Sequence, residues 1–124
     1  MSAGDLYYYF LAMHPEYNYY ALLDINQDGD DEILVCESNV IGEQLVDIWV
    51  IRGGIYYLEC EDIWPRVAPL TYNDFYCWVE NRLDVPGGWA ATYYWVEENG
   101  KIRGRSREPY DTFGDEIIFL PRPE

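Results

Sequence analysis

The sequence predicts an α+β domain: a short N-terminal helix followed by a mostly antiparallel β-meander sheet. Three observations lead there. Strand-like runs follow one another at short spacing with no helical crossover, which argues against a parallel sheet. Two-residue turns at Gly53-Gly54 and Asn99-Gly100 join neighbouring runs into hairpins, because such residues supply the positive φ a tight turn needs. The clearest helical run lies before His14-Pro15, where proline disfavours helix in the residue ahead of it. With 124 residues, the chain is one domain, residues 1–124, with a helix inside 1–15 and a β-rich body over 17–120.

Taken in order, residues 5–13 (DLYYYFLAM) read as the helix, with Asp5 as its cap. Tyr19 to Ile25 and Ile33 to Glu37 read as strands with an acidic loop between them. Leu45 to Ile51 and Ile55 to Cys60 flank Gly53-Gly54, and residues 61–70, with Pro65 and Pro69, read as loop. Residues 71–83 admit two readings. Thr71 and Asp74 resemble a capping box, and Tyr72, Phe75, Tyr76, Val79 and Leu83 share a helical face; yet the aromatic content suits a strand equally. The Asn99-Gly100 turn pairs Glu98 with Lys101, Val96 with Arg103, Tyr94 with Arg105 and Thr92 with Arg107. That places Trp95 opposite Gly104 and puts Lys101, Arg103, Arg105 and Arg107 on one face. Glu116 to Leu120 reads as a last strand stopped by Pro121.

Charge narrows the partners. The 23 acidic residues outnumber the 8 basic ones, for a formal net charge of −15. Such a surface repels nucleic acid and anionic membrane and attracts cations and basic protein surfaces. Direct nucleic-acid binding and membrane insertion are not expected; no stretch approaches the ~20 apolar residues of a membrane span. The hydrophobic share of 49% and aromatic share of 18% argue against disorder. Cys36, Cys60 and Cys77 are odd in number and form no CxxC pair, so they read as small buried hydrophobes. The first residues, Met-Ser-Ala-Gly-Asp, show no signal peptide. The expected location is the cytoplasm if the chain is complete, and the cell exterior or surface if an export signal has been removed.

The sharpest chemical feature is the segment from Asp24 to Glu32. Oxygen-bearing side chains fall at positions 1, 3, 5 and 9 (Asp24, Asn26, Asp28 and Glu32), with Gly29 at position 6. Hard cations such as Ca²⁺ take six to eight oxygens at ~2.3–2.6 Å. A chain curling round an ion turns alternate side chains inward, and Gly29 permits the sharp turn. The Asp30 carbonyl is expected to fill position 7, with Glu32 closing the shell directly or through water. Val35 stands where an EF-hand needs a bidentate Glu, and the flanks are strand-like, so a Ca²⁺ loop between two strands is expected instead. A metal-free polar turn held by Asx-type hydrogen bonds is the competing reading.

The run from Tyr20 to Val35 (YALLDINQDGDDEILV) resembles the YALxDIDGDGxxELLI segment of small domains in clostridial and gut Firmicutes surface proteins. Those domains often continue with an aromatic strand, a glycine turn and a YYxLENGK hairpin. Asp47-Ile48-Trp49-Val50 with Gly53-Gly54, and the run from Tyr93 to Lys101, stand in matching places. The resemblance spans roughly residues 17–107, and its specific part is the Asp24 loop. It implies a β-rich architecture and a cation loop; those families are mostly uncharacterised, so it implies no activity.

Catalytic signatures are lacking: there is no GxSxG, no phosphate-binding glycine loop and no HExxH. His14, the single histidine, reads as a solvent-exposed residue at the helix end. The chain is therefore expected to be no enzyme but a Ca²⁺-stabilised binding module for a protein or a glycan. The alternative is an acidic inhibitor, similar to anti-CRISPR or toxin-immunity proteins, that mimics nucleic acid in a basic groove. Between Asp24 and Asp62 stand eleven carboxylates and one base, Arg52. The residues expected to meet the partner are Asp31, Glu37, Glu43, Asp47, Trp89, Tyr94 and Arg105. The basic stripe on residues 101–107 is expected to pair with the acidic bulk and stack on aromatic neighbours, Arg105 on Tyr94 among them.

Overall fold

A computed structural model describes the backbone of residues 3–66, 68–85, 88–99, 101–110 and 114–123; within these, side chains are described outside residues 3–5, 83–94, 96–98 and 105–110. It contains one helix, α1 (Ala3–Met13), and ten strands. These are β1 (Tyr19–Leu23), β2 (Glu32–Cys36), β3 (Val46–Arg52), β4 (Ile55–Ile63), β5 (Thr71–Asn73), β6 (Trp78–Val85), β7 (Gly88–Glu98), β8 (Lys101–Tyr110), β9 (Asp115–Glu116) and β10 (Leu120–Pro121).

The strands form two five-stranded antiparallel sheets rather than one. The first runs β10-β1-β2-β3-β4 and the second β8-β7-β6-β5-β9. Each is a run of four consecutive strands closed by a short strand that returns from the end of the chain beside the first. The helix, the first sheet and the second sheet stack as three layers. Strand β2 shows why. All five of its residues are buried, so it is covered on both faces. Ile33 and Val35 pack with Phe10, Leu11 and Tyr17 beneath the helix. Leu34 and Cys36 point the other way, into a core shared with Val79, Trp95, Leu70 and Ile117 from the second sheet. A period-2 strand of branched residues can serve two interfaces at once.

Several expectations need correcting. The helix begins at Ala3, so Asp5 lies inside its first turn and is not its cap. The segment 71–83 is a hairpin: β5 turns at 74–77 into β6, with Thr71 opposite Glu80 and Asn73 opposite Trp78. Asn73 Oδ1 accepts the N–H groups of Phe75 (3.0 Å) and Tyr76 (3.2 Å), as a helix N-cap would, but Cys77 at φ 56° turns the chain back before a helix can propagate. Strand β4 continues to Ile63, into the expected loop. The last strand is split into β9 and β10, and Pro121 does not stop it: Pro121 sits in β10 opposite Tyr19 at the sheet edge, where a missing N–H is tolerated. The 99–100 hairpin keeps its expected register from Glu98↔Lys101 to Tyr94↔Arg105, with Trp95 opposite Gly104. Beyond Tyr93 the register shifts, so Thr92 and Arg107 are not partners. Gly100 itself is outside the described residues.

The C-terminal segment ties the layers together. Strand β9 joins β5, β10 joins β1, and Arg122 reaches the end of α1. Its guanidinium donates to the carbonyls of Leu11, His14 (3.2 Å) and Pro15 (3.4 Å). The Leu11 carbonyl lies in the last turn of the helix and the other two just beyond it, at the end where the helix dipole favours a cation.

Candidate functional site

The acidic loop lies where β1 and β2 part. Leu23 and Glu32 are the last paired residues, and the eight residues between them make the loop. Asp24 organises it. Its Oδ1 accepts the Asp28 N–H (3.1 Å) and its Oδ2 the Gly29 N–H (2.8 Å). Asp28 repeats the pattern one step on: Oδ1 accepts the Asp30 N–H (3.0 Å) and Oδ2 the Asn26 side-chain amide (3.2 Å). Two residues take positive φ to let the chain curl, Gln27 at 56° and Gly29 at 98°. The backbone N–H of Asp30, opposed by some desolvation and helped by Asn26, holds the Asp28 carboxyl below its ordinary range. Asp31 goes the other way: burial first, then the charges of Asp24 and Asp30, raise it.

Three of the five expected ligands converge. One carboxylate oxygen each from Asp24, Asp28 and Glu32 lies within 4.8 Å of the others. Ligand oxygens at ~2.3–2.6 Å from a common Ca²⁺ stand no more than about 5 Å apart, so the spacing fits. Glu32 is fully buried and accepts the Ile25 N–H through Oε1 (3.2 Å). Asn26 offers a buried Oδ1 that has no hydrogen-bond partner. An acceptor kept from water and given no donor is costly, and a cation relieves that cost. Asp30 is exposed and outside the convergent group; its contribution is the N–H it gives Asp28.

The second sheet grips this loop through contacts that no local sequence pattern announces. The Tyr72 hydroxyl lies 2.7 Å from the Ile25 carbonyl and 3.2 Å from that of Asp24. Gln27 Nε2 donates to the Asp74 carbonyl (3.0 Å) and to the Tyr72 hydroxyl (3.3 Å). The partners stand 45 to 48 residues apart in the chain, with no local pattern linking them. Beside this clasp the β5–β6 turn presents Phe75 and Tyr76 to solvent. Tyr76 stacks on Trp78 with ring centroids 4.3 Å apart, and Trp78 Nε1 is fixed by Glu80 (2.9 Å).

The expected partner-facing residues divide into three groups. Asp31, Glu37 and Glu43 are exposed. Asp47 is half-buried and engaged within the fold: Oδ2 accepts the Tyr17 hydroxyl (2.6 Å) and Oδ1 the Asp62 N–H (3.0 Å). It thereby fixes the bulge in β4 where Asp62 takes φ 58°. Trp89, Tyr94 and Arg105 have their backbone in β7 and β8, and their side chains are outside the described residues. The stacking expected of Arg105 on Tyr94 lies outside them too. Of the basic stripe, Lys101 reaches Glu59 (3.9 Å), which also meets Arg52 (3.6 Å).

His14 is not the solvent-exposed residue expected. Its ring packs among Phe10, Tyr17 and Trp49, with centroids 4.4 to 5.9 Å away, and its Nδ1 meets Glu16 (3.1 Å). The three cysteines are free. Burial, then the charges of Asp47, Glu61 and Asp62, pushes the Cys60 thiol up to about 11.

The chain matches no protein-family model, no curated protein and no solved structure. Among the described residues, no helix is long and apolar enough to cross a membrane.

Proposed function

We propose that this chain is a non-catalytic binding module whose β1–β2 loop holds Ca²⁺ and whose acidic surface meets a protein or glycan partner. One observation carries the reading: Asp24, Asp28 and Glu32 converge to within 4.8 Å in a loop that also holds a buried Asn26 oxygen lacking a hydrogen-bond partner. Asp24, Asn26, Asp28 and Glu32 would hold the ion. Its charge would offset the repulsion among carboxylates packed into one turn. The likeness of residues 20–35 to the cation-loop segment of clostridial surface domains supports the same assignment. The module reading draws on the aromatic turn beside the loop, where Phe75 and Tyr76 stand exposed on a rigid base.

The test is a thermal melt in millimolar Ca²⁺ and again in excess EGTA. Ligand at 100 times its dissociation constant adds ~2.7 kcal/mol, which for a domain of this size is a rise of roughly ten degrees. Asp28→Ala should abolish the rise. Equal melting temperatures in the two buffers, or a rise that survives Asp28→Ala, would overturn the ion assignment.

The second reading, an acidic inhibitor of a nucleic-acid enzyme, draws on the net charge of −15 and the exposure of Asp28, Asp30, Asp31, Glu37 and Glu43. It predicts a partner with a basic groove whose capture collapses between ~50 and 500 mM salt. Capture that persists at high salt would count against it.

A further inference from the structure

Across from the β5–β6 turn lies a second feature that the loop does not use. A cleft of about 390 Å³ opens between that turn and the returning C-terminal segment. Tyr72, Asp74, Phe75, Tyr76, Gly114 and Asp115 line it. It borders a second hollow on the side of Leu22 and Ile118, which shares Tyr72, Asp74 and Asp115 and adds Glu116.

Three properties of the cleft point to one kind of occupant. Its rings are exposed: Phe75 is 82% and Tyr76 49% accessible. Its rings are also fixed. Phe75 meets Tyr76 edge-on at 4.9 Å, Tyr76 stacks on Trp78, and Asn73 Oδ1 and Gln27 hold the turn from both sides. Finally, its charge is unbalanced. Asp74, Asp115 and Glu116 are exposed, and none has an ion-pair partner among the described residues. No arginine lines the cleft among the described residues, and three are engaged elsewhere: Arg66 over Trp64, Arg52 over Tyr57 and on Glu59, Arg122 on the helix end.

We propose that this cleft receives an arginine side chain from a protein partner. A guanidinium is flat enough to lie on an aromatic face and carries N–H donors in a fork that matches a carboxylate. Lysine offers the charge without the plane, and an apolar side chain would leave the carboxylates desolvated and unmatched. The pre-set turn lowers the ordering cost of binding, as anchored aromatic hot spots do. The inference rests on the chain being a binding module, but not on an ion in the loop.

The experiment is an NMR titration of the whole protein in EGTA with a blocked Gly-Arg-Gly-Arg-Gly peptide. Its lysine and citrulline analogues and spermidine serve as comparisons. Shifts should centre on residues 74–76 and 114–115. The citrulline peptide should bind ~10-fold more weakly, since it keeps the shape and loses the charge. Phe75→Ala and Asp74→Asn, both at exposed positions, should each weaken the arginine peptide by ~3-fold or more. Glu61→Gln, at an exposed position on β4, should leave it unchanged. Three results would overturn the proposal: shifts spread evenly over the acidic surface, a lysine peptide or spermidine that binds as tightly, or an affinity indifferent to Phe75 and Asp74. Because the titration is run without calcium, loss of the ion assignment in the melting test leaves this result readable by itself.

Discussion

Glu80 is fully buried in the second sheet and is surrounded by donors. Oε1 accepts the Thr71 hydroxyl (2.8 Å) and the Gly114 N–H (2.8 Å); Oε2 accepts Trp78 Nε1 (2.9 Å) and the Asn73 amide (3.3 Å). Glu80→Gln keeps the shape and turns one oxygen into a donor. The Asn73 amide cannot flip to receive it, because its oxygen already takes two backbone N–H groups. Thr71 can rotate to accept, so the amide settles at the Oε1 position and leaves the Gly114 N–H without an acceptor. One orphaned buried donor costs ~1–3 kcal/mol, and the other bonds lose their charge assistance. Against this stands the saving from no longer burying a charge. With four bonds to the carboxylate the losses outweigh the saving, for a net of about 2 kcal/mol. Melting entropy is ~2.1 cal/mol/K per residue, or about 0.26 kcal/mol/K for 124 residues, so the melting temperature should fall by roughly 8 °C. Glu80→Ala, which strands every donor, should fall at least twice as far. Differential scanning calorimetry at pH 7 in EGTA reads both. A Glu80→Gln protein that melts at or above the parent temperature would show that desolvation dominates and that the network reasoning is wrong.

Other expectations follow from the same geometry. Gly114→Ala should destabilise strongly, by ~3 kcal/mol or more, since its Cβ would stand 1.9 Å from the backbone oxygen of Tyr72; denaturant unfolding measures it. Arg122→Met should cost ~1–3 kcal/mol and reduce the helical circular-dichroism signal, because the carbonyls of Leu11, His14 and Pro15 lose their cation. Tyr72→Phe removes one hydroxyl from the loop clasp and should lower the melting temperature by about 4 °C, for a hydrogen bond of ~1 kcal/mol. At alkaline pH, burial holds the Cys60 thiol up at about 11 against an ordinary 9, and the Tyr56 phenol up at about 12 against 10. Both stay protonated in the fold after the unfolded chain has released its protons. The stability they contribute is whole below pH 9 and is lost as pH rises through about 11 and then about 12. The melting temperature should therefore fall over that range, and less steeply in Cys60→Val.

The sequence is most informative where one short stretch contains both halves of an interaction. The register from Glu98↔Lys101 to Tyr94↔Arg105 follows from a two-residue turn and the pleat, and it holds until a bulge intervenes near Tyr93. The curl of the Asp24 loop is legible for the same reason: its spaced side-chain oxygens and its glycine lie within nine residues. Residues 71–83 show the opposite failure. Their aromatic residues satisfy a helical period and a strand equally, and what decides between them is the pairing of residues 71–73 with 78–80 around a turn that Cys77 closes at φ 56°. Asp47, read as an outward-facing charge, is engaged by Tyr17, 30 residues away, and by the Asp62 N–H, 15 away. The division into two sheets, the return of β9 and β10, and the Tyr72–Gln27 clasp all depend on long-range pairing that leaves no periodic trace.

The position of Arg122 and β10 has a kinetic consequence. Tyr19 pairs with Pro121, and Leu11 is capped by a residue 111 positions later. The helix and β1 are therefore completed by residues made about a hundred positions later. During translation the helix and the β1–β2 hairpin emerge early with their final neighbours still unmade, and the first sheet stays open along β1 until residues 120–122 arrive. Closing so large a loop is costly in entropy and is rewarded only at the end, which favours a single late, cooperative step over piecemeal assembly. A nascent chain arrested before residue 120 emerges should still be protease-sensitive over residues 3–23, and emergence of residues 120–122 should protect the two segments together.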